Sequence, residues 1–256
     1  MTDASWIGRL AAAFEQDGLI PPLDDEIMGS AETLAERAAA VRAAVPWPLA
    51  GWKIGATGAA SRRVLQTDAP FFGPVYAPRV LASGATVALP PGFLGFECEF
   101  ALRLGAALPA KAGGYAPEHL RIAIDAVVLA IELVATRQQL EGMGNARRAA
   151  IDFGYNHSLV LGPALQPPPV DRLPEALVVA LVDDVEVGRG HGRDVLGHPL
   201  EALAWLTRQG IDLAAGQVIS TGTCTGIAKL GPGETATARF SDGDRLWGEV
   251  TFRAQA

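Results

Sequence analysis

Apolar residues recur at helical spacing in two Ala-rich stretches near the start of the chain, residues 6–15 and 31–45, and Ser30 stands ready to cap the second. Two helices are therefore predicted, separated by a loop at Pro21-Pro22-Leu23-Asp24-Asp25 and ended by Pro46-Trp47-Pro48. Beyond Gly51 the period changes. Residues 95–104 alternate, with Phe96, Cys98, Phe100, Leu102 and Leu104 on one face and Glu97, Glu99 and Arg103 on the other. Residues 126–135 are apolar throughout except for Glu132. Both read as strands, the first entered from a Pro90-Pro91-Gly92 turn and the second from a short helix over residues 117–124.

After Gly162, short runs punctuated by turns take over: residues 176–182, 185–188 and 217–221, then two late runs joined through Ser241-Asp242-Gly243-Asp244, a hairpin signal. One helix, opening on Pro199 and stopping before Gly210, interrupts them. Pro167-Pro168-Pro169 reads as a stiff connector inside a common core. Because strands do not alternate regularly with helices, the pattern predicts a mixed or antiparallel α+β architecture over a doubly wound sheet. A helical segment at residues 1–50 is expected to pack on a core at residues 51–256, the two making one domain.

Composition narrows the function. A hydrophobic content of 49% supports a sizeable buried core. The net charge is −7 and the 21 basic residues form no run, so nucleic acid is not an expected partner. Met1-Thr2-Asp3-Ala4-Ser5-Trp6-Ile7 lacks a basic segment followed by an apolar one, and no uncharged apolar run reaches spanning length. A cytoplasmic protein without a membrane partner is expected. Cys98 and Cys224 have no C-x-x-C spacing and read as small core or loop residues.

The candidate chemistry lies in three glutamates. Residues two apart on a strand share a face roughly 7 Å apart, so Glu97 and Glu99 can close on one small ion. The same alternation also describes any half-exposed strand with a solvated face. Glu132 is harder to dismiss, because an ionised carboxylate in an apolar run costs several kcal/mol unless a cation or donor compensates it, whether a metal or an arginine. Carboxylates without His or Cys suit a hard, oxygen-preferring ion, Mg2+ or Mn2+.

Five segments then line up together: Gly51-Trp52-Lys53-Ile54-Gly55-Ala56-Thr57, Phe72-Gly73-Pro74-Val75, Phe96-Glu97-Cys98-Glu99-Phe100, residues 131–137 from Ile131 to Arg137, and residues 198–206 from His198 to Leu206. In order and spacing they resemble the 2-keto-4-pentenoate hydratase branch of the fumarylacetoacetate hydrolase superfamily, over about residues 31–253. The resemblance implies a mixed sheet rolled into a β-sandwich or half-barrel with flanking helices. It implies a metal at Glu97, Glu99 and Glu132, with Lys53 reaching into the same pocket as the acid-base group. The expected reaction is that of a lyase, a hydratase or decarboxylase acting on a small 2-oxo or 2-hydroxy-dienoic acid, such as one from aromatic catabolism, through a metal-stabilised enolate. A homo-oligomer is expected.

Further candidates carry alternatives. Arg137 is expected to pair with a substrate carboxylate or to form a structural salt bridge. Asp152 and Asn156, in Ile151-Asp152-Phe153-Gly154-Tyr155-Asn156-His157, match family positions beside the pocket, and His157 sits there too. Gly222 and Thr223, in the loop Ser220-Thr221-Gly222-Thr223-Cys224-Thr225-Gly226-Ile227, offer backbone and hydroxyl donors to an anion or simply form a tight turn. Two positions depart from the hydratase pattern. Its acid a few residues after Phe72-Gly73 is absent from Pro74-Val75-Tyr76-Ala77-Pro78-Arg79, and its Asn after the Asp is Phe153. Asp installed at Ala77 or Pro78 is expected to favour hydration. Carbon-carbon hydrolysis of an acylpyruvate, with His157 or another base holding water, and a non-catalytic 2-oxo acid binding or assembly subunit are the competing readings.

Overall fold

The computed structural model describes residues 4–255; Met1, Thr2 and Asp3, where the leader reading and the 1–50 segment begin, and Ala256, where the core ends, lie outside the described residues. Three helices open the chain: α1 (Ala4–Glu15), α2 (Asp25–Met28) and α3 (Ala31–Ala43). The cap of α3 is where the sequence puts it, with Ser30 Oγ accepting from the Thr33 amide at 3.2 Å. The short α2 turn falls at the end of the predicted loop.

The core follows as β1 (Leu49–Gly55), α4 (Ala59–Val64), β2 (Phe71–Tyr76), β3 (Val80–Ala82), β4 (Ala85–Ala88), β5 (Phe93–Leu104), α5 (Pro117–Ala123), β6 (Ile124–Ala135), α6 (Ala146–Ile151) and β7 (Asn156–Leu165). It is completed by β8 (Leu177–Val182), β9 (Val185–His191), α7 (Pro199–Thr207), β10 (Val218–Ala228), β11 (Thr235–Asp242) and β12 (Arg245–Gln255). Seven strands form a curled half-barrel sheet in the order β2-β1-β10-β5-β6-β7-β3, and five form a second sheet, β4-β12-β11-β8-β9. Pairing is mixed: β1 runs parallel to β10, while β5 and β6 are antiparallel. This is the α+β class that the strand pattern predicts, with the half-barrel and flanking helices that the resemblance implies.

The two sheets bury one core between them. Phe96, Cys98, Phe100 and Leu102 of β5 meet Phe240 and Phe252, with Phe100 and Phe240 centroids 5.2 Å apart. The opposite face of β5 overturns the solvated-face alternative. Glu99 and Ala101 are both fully buried there, Ala101 in a cluster with Ala126, Val128 and Ala130, and Glu99 opposite Ala130 on β6. The hairpin signal holds, with Gly243 and Asp244 joining β11 to β12 through the Asp242–Arg245 pair, and a second hairpin forms where Asp183 and Asp184 take positive φ between β8 and β9.

The opening helices pack on the half-barrel sheet through aromatics. Phe14 stacks 4.3 Å from Phe153 and 5.5 Å from Tyr76, while the Tyr76 hydroxyl donates to Arg42 O. Arg79 ties the same helix down by ion pairing with Asp17 and donating to Phe14 O. Burial opposes ionisation of Asp17, but His157 and Arg79 outweigh it and hold the carboxyl at about 2. Among the described residues no helix is long and apolar enough to cross a membrane.

Candidate active site

Four neighbouring strands of the half-barrel sheet bring the candidates together. β1 places Lys53 opposite Ser220 of β10, β10 places Thr223 opposite Glu99 of β5, and β5 places Glu97 directly opposite Glu132 of β6. The three glutamates each offer an oxygen within 4.8 Å of the others. Like charges paired across strands are destabilising, and here two of the three are fully buried. Such a cluster is expensive unless something neutralises it.

The protein compensates only part of that cost. Glu99 Oε2 accepts from Ser220 Oγ at 2.6 Å and from the Gly222 amide at 2.9 Å, and Glu132 Oε1 accepts from Asn156 Nδ2 at 2.9 Å. Glu99 Oε1 and Glu132 Oε2 are buried with no hydrogen-bond donor. Lys53 Nζ lies 3.2 Å from Glu132 Oε2, an ion-pair distance, and donates to Gly154 O at 2.9 Å. Two orphaned oxygens beside a half-buried third carboxylate, with no nitrogen or sulfur donor in the cluster, fit a hard divalent ion.

Electrostatics point the same way. Burial lifts the Glu97 carboxyl to about 7, with Glu132 adding repulsion and Lys53 opposing it, and burial with the two neighbouring glutamates raises Glu99 well above the usual carboxylate range. For Lys53 burial favours the neutral amine, but Glu132, Glu97 and Glu99 together outweigh it and keep the ammonium.

The other expected site residues divide. Thr223 lines the cleft, whereas the Gly222 amide faces Glu99. Arg137, Asp152 and Asn156 do not line it. They form a buried layer behind Glu132, with Arg137 Nε 2.5 Å from Asp152 Oδ1 and Arg137 Nη1 and Nη2 donating to Asn156 O and Asp152 O. The guanidinium is thus in the structural salt bridge that was its alternative. His157 also stands off the cleft, between Asp17 at 3.0 Å and Ser158. Ala77 and Pro78, where an installed Asp is expected to favour hydration, are exposed and do not line the cleft. Phe153, the other departure, is the platform on which Phe14 stacks.

Some site residues escape sequence reasoning. Phe153, Gly154 and Tyr155 all have positive φ, a strained turn that presents Gly154 O to Lys53. Gly73 lies against it so tightly that a Cβ would sit 2.0 Å from Phe153 O. Thr57 ends the Gly51–Thr57 segment, yet nothing in its type shows that its Oγ1 is buried, unpartnered and on the cleft wall. The cleft itself measures about 770 Å3.

Asn156 acts on Glu132 from behind. Orienting partners of this kind change metal affinity 10–100-fold. Asn156→Ala is expected to weaken Mg2+ or Mn2+ binding about tenfold by calorimetric titration. An unchanged affinity would remove Asn156 from the site.

Residues 53–253 match the fumarylacetoacetate (FAA) hydrolase C-terminal family. A 2-keto-4-pentenoate hydratase 2 from Dechloromonas aromatica (strain RCB) is 30% identical over 194 residues, 73% of this chain and 72% of the relative. A 2-keto-4-pentenoate hydratase from Burkholderia vietnamiensis (strain G4 / LMG 22486) is 31% identical over 236 residues, 86% of each chain. Among solved structures, 4-oxalocrotonate decarboxylase from Pseudomonas putida G7, complexed with magnesium and adipate, superposes with a TM-score of 0.81 over 97% of both chains at 22% identity, a likeness of fold. With the matched segment running from the cleft lysine at Lys53 through all three glutamates, the chain belongs to the fumarylacetoacetate hydrolase family.

Proposed function

We propose that this chain is a metal-dependent, hydratase- or decarboxylase-type lyase acting on a small 2-oxo or 2-hydroxy-dienoic acid. The observation that carries the reading is the convergence of Glu97, Glu99 and Glu132 within 4.8 Å beside the Lys53 ammonium, at the foot of a cleft with apolar walls. Similarity to the two hydratases, and to a decarboxylase whose complex contains magnesium, supports it.

When bound by the three glutamates, Mg2+ or Mn2+ supplies Lewis-acid polarisation of a 2-oxo acid and offsets the negative charge that develops when the adjacent carbon loses its proton. The remaining work falls to side chains of this protein. Ser220, Gly222 and Asn156 hold the carboxylates in one orientation. Lys53 offsets the substrate's carboxylate charge and moves the proton at the reacting carbon. Phe71, Leu65, Val134 and Ile227 on the cleft wall keep water from the carbon chain.

Two features bear on the choice of reaction. Hydration and carbon-carbon hydrolysis both need a base that positions water. His157 is tied to Asp17 away from the cleft, and Ala77 and Pro78 are exposed, so these residues favour neither hydration nor hydrolysis, and within the lyase reading the decarboxylase type, which needs no activated water, fits them better.

The test is solvent-deuterium exchange beside the carbonyl of 2-oxo acids, followed by NMR with Mg2+ or Mn2+ present. Metal-dependent exchange is expected. No exchange and no turnover of any 2-oxo acid would transfer support to a non-catalytic binding role.

A further inference from the structure

The turn between α6 and β7 touches both Lys53 and the opening helix. Phe153, Gly154 and Tyr155 follow one another with φ of 52°, 67° and 58°. Glycine takes such angles freely, but for a bulky aromatic residue they are unfavourable and persist only where the surroundings impose them. On one side Gly154 O accepts from Lys53 Nζ at 2.9 Å, and that ammonium lies 3.2 Å from Glu132 Oε2. On the other side the Phe153 ring meets Phe14 in the last turn of α1, with centroids 4.3 Å apart.

Each residue of the turn is held differently. Gly73 packs directly against its backbone, since a Cβ there would lie 2.0 Å from Phe153 O and 2.8 Å from the Gly154 amide nitrogen. Tyr155 is anchored by its hydroxyl, which donates to Met143 O at 2.7 Å. The Phe153 side chain has no polar atom, so packing alone can fix it. Phe14 supplies that packing and is itself immobilised: its ring is buried, 5.7 Å from Trp47 and 5.5 Å from Tyr76, and Arg79 donates to its carbonyl at 2.8 Å. The Arg137 guanidinium lies against both rings, 5.3 Å from Phe14 and 5.6 Å from Phe153. Neither Phe14 nor any other residue of the opening helices lines the cleft.

Resting on the reading above, we infer that Phe14 is a positioning residue for Lys53. By clamping Phe153 it keeps the turn in its left-handed conformation, and the turn directs the Lys53 ammonium through Gly154 O. Without the clamp the backbone relaxes toward negative φ, Gly154 O swings away, and Lys53 is left to the glutamates alone. The opening helix thereby serves proton transfer from outside the cleft.

The experiment uses Phe14→Leu and Phe14→Met, which remove the ring stack but fill more of its space than alanine, in the full-length protein with Mg2+ present. The first readout is NMR of protein labelled with 15N-lysine. The chain has three lysines, Lys53, Lys111 and Lys229, of which only Lys53 is buried, so its ammonium is the one shielded from water. Its signal should be present in the wild type, and in both variants it should shift and exchange with water about tenfold faster or more, as expected when a local hydrogen bond opens. The second readout is deuterium exchange into a 2-oxo acid, whose maximal rate should fall about tenfold or more at unchanged KM and unchanged Mg2+ affinity. In a Lys53→Met background the Phe14 substitutions should cost less than about twofold, because they act through the missing side chain. No shielded ammonium in the wild type, or one that the variants leave unaltered, overturns the clamp. An altered signal with an unaltered rate, a loss carried by KM or metal affinity, or an equal loss in the Lys53→Met background overturns the positioning role. Absence of exchange in the wild type counts against the enzyme reading instead, while the ammonium signal still decides whether Phe14 holds Lys53.

Discussion

In Glu132→Gln, metal-dependent exchange or turnover is expected to fall below detection while the folded protein survives. Glutamine keeps the volume and can still accept from Asn156, but it withdraws the charge and the orphaned Oε2 that a divalent ion would take. Stability of the metal-free protein responds to two opposing changes. Lys53 loses its nearest carboxylate, which destabilises, and Glu97 and Glu99 lose a like-charged neighbour, which stabilises. With Glu97 and Glu99 still beside it, Lys53 is not left unpaired, and the fold is expected to persist. The discriminating measurement is thermal unfolding with and without Mg2+. At a hundredfold excess over Kd, binding contributes about 2.7 kcal/mol, a rise of roughly 5–10 °C in Tm for a protein of this size. That rise should appear in the wild type and vanish in Glu132→Gln. A variant that keeps full activity, or the full metal-induced rise, would sink the assignment.

The same cluster fixes a pH dependence for the metal-free protein. Glu97 and Glu99 have folded-state pKa values raised above their unfolded ones, to about 7 for Glu97. The folded state therefore binds more protons between the ordinary carboxylate range and about 7, and its stability declines as pH rises through that window. Divalent ion competes with those protons, so metal affinity should strengthen over the same interval.

Which parts of this were legible in the sequence follows from what each signal reports. The β5 and β6 strands were readable because alternation and a lone charge in an apolar run are local properties. That Glu97 stands opposite Glu132 is a matter of register across two strands, and periodicity does not report it. The burial of Glu99 could not be read either, since a polar face looks the same whether water or protein covers it. Asn156 and Arg137 were visible as site neighbours only through resemblance. Their position behind Glu132 depends on how β7 lies beside β6. Short elements were lost for a different reason: α4 and α6 span about one and a half turns and carry too few apolar positions to establish a period.

Lys53→Met is expected to slow deuterium exchange beside the carbonyl about 100-fold or more, within the range that acid-base catalysis contributes. Methionine is near lysine in length and volume, so β1 keeps its packing against Phe71 while the site loses a charge and a proton carrier. The loss of charge by itself predicts the opposite effect on metal. Lys53 repels a divalent ion, and removing it leaves Glu97, Glu99 and Glu132 more negative, so Mg2+ should bind Lys53→Met at least as tightly as the wild type. Tighter metal together with slower exchange is therefore the signature of a lysine that moves the proton. In the metal-free protein the fold loses both the buried donor to the Gly154 carbonyl, about 1–3 kcal/mol, and the ammonium that faces Glu132, a combined cost measurable separately by denaturant unfolding. If exchange instead falls only as far as metal occupancy falls, or by less than about tenfold at saturating metal, Lys53 is an ion-pair partner of Glu132 and the proton carrier must be sought elsewhere in the cleft.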